Sequence, residues 1–488
     1  MLAQFFRNSA VYGIAGIFSR GIGVILLPIY TRVLSPEEYG VLDILIVCAT
    51  LANYIVAMEI SQGVARYYSE TTDPKNKAEY ASTALWFAGA AYIIFVLIGL
   101  YFAEFLSHLI IGSADFERIF QVALMAVAVN GMYYLLQDLL RWQFQPVRYG
   151  IGSLIYTLAS TLLAIYLVVI LQIGVLGIFY GQVAGAILGI VYTLFFGDGC
   201  YGRAFSWSKC RIMLTYSLPL VLTSIAYYCS VYVDRIAIKQ LMTLGDVGIY
   251  GVGARIASVF ALLMIGFQSA LTPLIYHHHE KLSTPSELAR IFRYFLAIAL
   301  PLLLCVSIFS KELVWFFTTP EYYAAWTVVP ILSCSVLLAS MYIFAPGLFL
   351  RKSTKIVALI HVSALGINIV LNLVLIPVFG IIGSAIATLL STAITFLIYM
   401  NLSQKLYKVP HNWRTIVVAL IMFIGAALIG FINEAMIVKF DRKDLLINLG
   451  ITITASLAMI YTILGRRELV IISNKIKSKL PFQKDSNI

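Results

Sequence analysis

Three arginines fall inside long apolar runs: Arg20, Arg235 and Arg255. A cation within a bilayer is costly and normally faces an aqueous cavity or a counter-charge. Acids are scarcer at that depth, with Glu59 and Asp234 inside their runs and Asp138 nearer one end. A guanidinium is a planar fork of donors that matches phosphate oxygens bidentately. A cavity holding several arginines therefore suits an anionic ligand, whereas an exporter of organic cations would be lined mostly by carboxylates. Neutral polar residues recur at helical spacing in the same runs. Glu59, Gln62 and Arg66 share a face, with Asn53 a turn and a half earlier; Asn130, Tyr134, Gln137 and Arg141 form a stripe beside Asp138. Ser217, Ser224, Tyr228 and Arg235 form another beside Asp234, and His361, Asn368 and Asn372 a further one. Any single stripe could reflect interhelical hydrogen bonding alone, and Arg20 could be a buried arginine paired with a carboxylate. Together they predict a wet interior. The substrate-facing candidates are Arg20, Arg255, Arg235, Asn53, Asn130, Gln137, Tyr228 and Asn368, and the candidate ion-coupling acids are Glu59, Asp138 and Asp234.

Covalent chemistry has no comparable basis. No G-x-x-x-x-G-K-[ST] phosphate loop occurs, and no Ser/His/Asp or zinc-type constellation. His277, His278 and His279 are consecutive, so on a helix they would point around the axis rather than to one ion; a solvated loop is the simpler reading. The six cysteines, Cys48, Cys200, Cys210, Cys229, Cys305 and Cys334, include no C-x-x-C pair, and in apolar runs a free thiol behaves as a small hydrophobe. No enzyme activity, metal or cofactor is expected.

The elements that must carry these residues follow from composition. Of 488 residues, 61% are hydrophobic and 12% charged, roughly half the charged share of about 25% usual in soluble domains. Apolar runs extend from Phe5 to Leu464 and leave no room for a soluble domain of ordinary size. A disordered chain, a disulfide-stapled secreted module and a nucleic-acid binder are excluded, since the net charge of +11 is distributed as a membrane face would be. A spanning helix needs about 20 apolar residues, which predicts an all-α polytopic protein of about 14 transmembrane helices. They lie near 9–34, 39–66, 80–106, 116–141, 149–171, 175–197, 212–239, 246–276, 289–309, 323–350, 356–378, 381–403, 414–436 and 444–465. Pro219 would bend the start of the seventh. A β-barrel would show alternating strands of about ten residues instead. With the termini and every second connection on one side, that side holds 24 of the 34 Lys and Arg, the other 7, and 3 lie inside spans. The bias places both termini in the cytoplasm, with the N-terminal run a retained first span and no cleaved signal.

The first six spans and the next six read as two copies of one unit. Leu34-Ser35-Pro36-Glu37-Glu38-Tyr39-Gly40-Val41 returns as Met242-Thr243-Leu244-Gly245-Asp246-Val247-Gly248-Ile249, 208 residues on. Gly174-Val175-Leu176-Gly177 returns as Gly380-Ile381-Ile382-Gly383 at 206, and Phe144-Gln145-Pro146-Val147-Arg148 aligns with Arg351-Lys352-Ser353-Thr354-Lys355 at 207. An even-numbered unit makes the repeats parallel, related by an axis along the membrane normal. The expected organisation is an N-lobe over 1–205, a C-lobe over 206–410, two further helices over 411–465, and a basic cytoplasmic tail over 466–488 resting on anionic lipid. Gly181, Gly185 and Gly189 repeat every four places and are read as helix packing.

The opening Phe6-Arg7-Asn8-Ser9-Ala10-Val11-Tyr12-Gly13, followed by Leu27-Pro28-Ile29-Tyr30-Thr31-Arg32-Val33-Leu34-Ser35-Pro36-Glu37-Glu38-Tyr39-Gly40, resembles the N-terminal signature of the polysaccharide-transporter family. These are the Wzx-type oligosaccharide flippases of the multidrug/oligosaccharidyl-lipid/polysaccharide (MOP) exporter superfamily. Asn368-Ile369-Val370-Leu371-Asn372-Leu373-Val374-Leu375-Ile376-Pro377, through Gly380 to Gly383, resembles that superfamily's second-half hallmark. The resemblance spans essentially the whole chain and includes the 6+6+2 layout. It implies a flippase that moves a polyprenyl-pyrophosphate-linked oligosaccharide, typically on undecaprenyl pyrophosphate, across the bacterial cytoplasmic (inner) membrane for O-antigen, capsule or exopolysaccharide assembly. A polysaccharide polymerase or chain-length regulator is the implied protein partner. Related lipid II flippases also use cavity arginines, an analogy that places Arg20 and Arg255 in the cavity. Two rivals remain open. A MATE-like cation-coupled drug antiporter would carry twelve spans and an acidic cavity, and a non-transporting scaffold of the assembly complex would need no charge at mid-membrane.

Overall fold

The computed structural model describes residues 21–143, 145–197, 202, 204–278, 281–351, 353–436 and 442–477; Arg20 lies outside them. Every regular element among the described residues is helical. The helices of ten or more residues are α1 Pro36–Val56, α2 Ile60–Glu70, α3 Pro74–Tyr101, α4 Glu117–Trp142, α5 Pro146–Ile165, α6 Val175–Phe196 and α7 Trp207–Leu241. They continue as α8 Leu244–Ala257, α9 Val259–His278, α10 Thr284–Ile308, α11 Val329–Ser340, α12 Thr354–Leu406, α13 Trp413–Met436 and α14 Arg442–Lys477. Large apolar side chains such as Phe195, Leu222 and Val378 stand at least 70% exposed along these helices, the pattern of a surface solvated by lipid. The protein is a multi-pass membrane protein.

Among the described residues ten helices, or twelve if each of two bent pairs is one span, are long and apolar enough to cross a bilayer, against the fourteen expected of the whole chain. The difference has local causes. Of the expected first span only 21–34 is described, with a short apolar helix over Gly21–Tyr30. The expected spans 356–378 and 381–403 merge in α12, which turns at Gly380 (φ 58°, ψ −138°). Helix α7 bends by 41° near residue 227 rather than at Pro219. The expected tail begins as helix, since α14 runs on to Lys477 past a turn at Gly465. His277 and His278 close α9 instead of lying in a loop, and His279 falls outside the described residues.

The repeat landmarks carry matching structure. Ser35 and Glu38 form a capping box at the start of α1, and Thr243 and Asp246 form one at the start of α8. Each satisfies two backbone donors reciprocally. Gly174 (φ 59°, ψ −142°) and Gly380 share a backbone conformation open mainly to glycine. Gly40 and Gly248 hold α1 and α8 together: a Cβ on Gly40 would run into the Leu244 carbonyl, and one on Gly248 into the Pro36 carbonyl. The two contacts are mutual across an offset of 208 residues.

The expected continuous span 39–66 breaks between α1 and α2. Met58 and Glu59 both adopt left-handed backbone, each with φ 49°, a conformation that costs a side-chain-bearing residue roughly 1–2 kcal/mol. Helix α7 holds this break in place. Ser217 Oγ donates to the Met58 carbonyl at 2.7 Å, and Ser224 Oγ donates to Glu59 Oε1 at 2.6 Å. Beyond it α2 lies against α7 so closely that a Cβ on Gly63 would sit 2.9 Å from Met213.

Candidate functional site

Polar side chains from α1, α4, α5, α6 and α8 converge on three adjoining hollows of about 540, 720 and 210 Å³. Tyr134, Gln137 and Tyr149 border both larger ones; Arg255, Tyr134, Tyr156 and Gln182 are shared by the first and third. The glycine stripe of α6 makes this geometry possible. A Cβ on Gly185 would press on the Tyr156 carbonyl at 2.8 Å, and one on Gly189 on the Tyr133 ring at 2.5 Å. Without side chains there, α5 settles onto α6 and brings Tyr149, Ser153, Tyr156, Thr157 and Ser160 to the cavity wall.

Arg255, near the end of α8, lines the first and third hollows. Its guanidinium bonds to the Tyr39 side chain and feels Asp43 at longer range. Among the described residues no carboxylate lies within ion-pair distance of it. Its charge is thus available to an anion.

Arg235 is placed differently. Its Nη1 lies 2.7 Å from Asp234 Oδ2 and its Nε 3.3 Å from Asp43 Oδ2. The guanidinium also stands over the Tyr232 and Tyr250 rings, and the Tyr250 hydroxyl donates to Asp234 at 2.6 Å. Arg235, Asp234 and Tyr232 border a separate hollow of about 410 Å³ in the second half of the chain. One arginine held by two carboxylates is already compensated.

The remaining candidates divide between the two spaces. Asn53, Asn130, Gln137 and Tyr228 border the first-half hollows, together with the acids Glu59 and Asp138. Asn53 accepts from the Tyr92 hydroxyl at 2.7 Å, and Asp138 lies 3.7 Å from Arg141. Asn130 donates to the Ala126 carbonyl, yet its Oδ1 has no partner among the described residues, and neither amide atom of Gln137 has one. Tyr228 stacks on Tyr232 with centroids 4.8 Å apart. Asn368 and Asp234 border the second-half hollow. Behind it Ser384 donates to Asn372 Oδ1 at 2.7 Å, Asn372 Nδ2 donates to the Asn368 carbonyl at 2.9 Å, and Asn368 Nδ2 to the Ser230 carbonyl at 3.4 Å, a continuous chain of bonds.

Sequence reasoning missed Asp43 and the α5 tyrosines. Asp43 shares the apolar run of Glu59, and Tyr149, Ser153, Tyr156 and Ser160 keep helical spacing, so both left a trace in the chain. On the connection between α12 and α13, His411 packs against Phe292 and Trp413, and burial pushes its imidazole down to about 4, opposed by the Phe344 carbonyl. At the turn past Gly465, the Tyr294 hydroxyl bond, followed by the charge of Arg290, holds Glu468 below the usual carboxylate range.

Residues 5–279 match the family model described as polysaccharide biosynthesis protein. The chain belongs to that family. A Haemophilus influenzae protein of the Lsg locus is 23% identical over 400 residues, covering 78% of this chain and 95% of its own. The "Probable low-salt glycan biosynthesis flippase Agl15" of Haloferax volcanii is 23% identical over 284 residues, covering 56% of this chain and 60% of its own. Among solved structures, the lipid II flippase MurJ in its inward closed conformation superposes with a TM-score of 0.73 at 16% identity, over 94% of this chain and 100% of that one. That likeness shows a common fold.

Proposed function

We propose that this member of the polysaccharide biosynthesis family is a flippase. It carries an undecaprenyl-pyrophosphate-linked oligosaccharide repeat unit from the cytoplasmic to the outer leaflet of a bacterial cytoplasmic membrane, for assembly of a surface polysaccharide. The single observation that carries this reading is Arg255, a cation without a carboxylate partner among the described residues, at the wall of a polar cavity inside the membrane. A guanidinium so placed suits a pyrophosphate, and the polyprenyl tail stays in lipid while the cavity takes the headgroup. Arg20 is the second arginine proposed for this role.

Movement is alternating access by rocking of the two halves, with both termini on the cytoplasmic side. In that orientation the Gly40–Gly248 contact closes the outer end. The cytoplasmic end is tied by Gly63 against Met213 and by Lys209 reaching Asn76 at 2.7 Å and Glu79. A cycle must break one set while keeping the other. The membrane potential or an ion at Glu59, Asp138 or Asp234 supplies the drive, and a polymerase or chain-length regulator consumes the product.

The test is mass spectrometry of lipid-linked saccharides in cells lacking the protein. Accumulation of a complete polyprenyl-linked unit, reversed by wild type and not by Arg255→Ala, is the expected result. Normally expressed Arg255→Ala with full export overturns the assignment. No accumulation, with new sensitivity to cationic drugs, transfers the protein to the antiporters.

A further inference from the structure

Part of the first-half cavity has no bearing on phosphate. Tyr133 and Tyr156 stack with centroids 4.5 Å apart and planes 13° from parallel. The Tyr134 ring leans on both, at 5.4 and 6.2 Å, and is 52% exposed. An aromatic surface therefore opens into the cavity. One turn further along α4 lies Gln137, only 5% exposed, whose Nε2 and Oε1 both lack a partner among the described residues. The neighbouring Tyr133 hydroxyl donates to the Gly152 carbonyl at 3.4 Å. The amide is seated over Gly152, where any added Cβ would strike Nε2. One turn before Tyr134, the Oδ1 of Asn130, 6% exposed, is equally unpartnered.

A buried amide left unpaired is destabilising, and native proteins seldom retain such groups without something to meet them. An amide offers donor and acceptor side by side, the complement of a vicinal diol or an acetamido group on a pyranose. The tyrosine rings offer an apolar face to the sugar's C–H bonds and a hydroxyl edge to its oxygens. An acyl chain would leave the amides unpaired, and a phosphate would find no cation among these five side chains. Charge narrows the class further. Tyr134 and Gln137 line both the hollow of Arg255 and the one bordered by Glu59 and Asp138, so with the pyrophosphate on Arg255 an acidic sugar reaching the second hollow would meet Glu59, and Asp138 beside Arg141.

We propose that Gln137, Asn130 and the Tyr134–Tyr156 platform form a subsite for a neutral pyranose of the cargo, a plain hexose or an N-acetylated amino sugar, adjoining the pyrophosphate position at Arg255 in the same hollows. The proposal rests on the flippase reading and adds the chemistry by which the headgroup is selected. A site built to hydrogen-bond sugar hydroxyls discriminates against a ligand that lacks them.

Binding to the purified full-length protein in nanodiscs tests it. The probes are undecaprenyl pyrophosphate alone and the same lipid bearing N-acetylglucosamine, galactose or glucuronic acid. The expected result is that at least one neutral sugar tightens binding about tenfold over the bare lipid, that glucuronic acid does not, and that Gln137→Ala and Tyr134→Ala remove most of that gain. Tyr134→Phe, which keeps the ring, retains most of it. A wild type that binds the bare lipid with no preference for a neutral sugar overturns the subsite alone, as does a gain that survives both alanine variants. Equal weakening of bare and sugar-bearing lipid by these variants also overturns it. A wild type that binds none of the four probes overturns the flippase reading together with it.

Discussion

The two halves of the chain each enclose a polar hollow, and the two differ in what their polar groups already hold. In the second half Arg235 is neutralised by Asp234 and Asp43, and Asn368, Asn372 and Ser384 complete one another's hydrogen bonds. In the first-half cavity, Arg255, which reaches it from α8, has no ion-pair partner among the described residues, and Gln137 and one oxygen of Asn130 are unpaired. The same residue types at similar depth thus serve opposite ends. Where charges and amides satisfy each other they are compensated within the fold; where they do not, they stay open to the ligand proposed above. Buried charge marks function only after its partners have been counted.

The strongest way to break this comparison is to open the compensated network. Arg235→Ala leaves Asp234 and Asp43 facing each other without their cation, and loss of one member of a buried pair costs about 3–5 kcal/mol. Thermal unfolding in detergent should show a large drop for this variant. Arg255→Ala should show little change in the same measurement while export fails; equal destabilisation by both would erase the distinction between the halves.

A smaller effect sharpens the relation of the halves to each other. Gly248→Ala places a methyl group against the Pro36 carbonyl, and overpacking of this kind costs about 1–3 kcal/mol. The outer seam should loosen, read as faster labelling of a cysteine introduced near Ser35 by an impermeant thiol reagent. Unchanged labelling would mean that the seam has slack.

The smallest effect belongs to neither hollow. His411 titrates near 4 in the folded protein and near 6.5 when free. Between those values the unfolded chain binds more protons, so stability is fully present above pH 6.5 and declines as pH falls toward 4. The loss is about 1–3 kcal/mol once partial exposure is allowed for. His411→Phe should flatten that slope in unfolding measured from pH 4 to 7 without moving export at neutral pH.

Much of the first-half cavity is legible in the chain. Asn53, Glu59, Asn130, Gln137, Asp138, Tyr228 and Arg255 interrupt apolar runs, and a polar group in such a run must face something other than lipid. The capping boxes at Ser35 and Thr243 are equally local. Pairing is not local. Whether an arginine is compensated depends on residues such as Asp43 and Arg235, which lie 192 positions apart. The break at Met58 and Glu59 escapes for a related reason: neither residue type favours left-handed backbone, and it is the hydroxyls of Ser217 and Ser224 on a distant helix that hold it. Tyrosine is ambiguous by nature, at home in a core, at a membrane interface or against a sugar, so the α5 stripe carries little signal until α6 positions it.

The seam at Gly40 and Gly248 sets how costly one transport cycle is. It joins main chain to main chain, with no side chain from either glycine between the helices. At the two glycines the contact involves no ion pair; one turn further along α1 Asp43 holds Arg235 of α7, and beside Gly40 Tyr39 bonds Arg255. On the proposed alternating-access reading, a closure of main chain against main chain parts at the glycines without breaking a side-chain bond there.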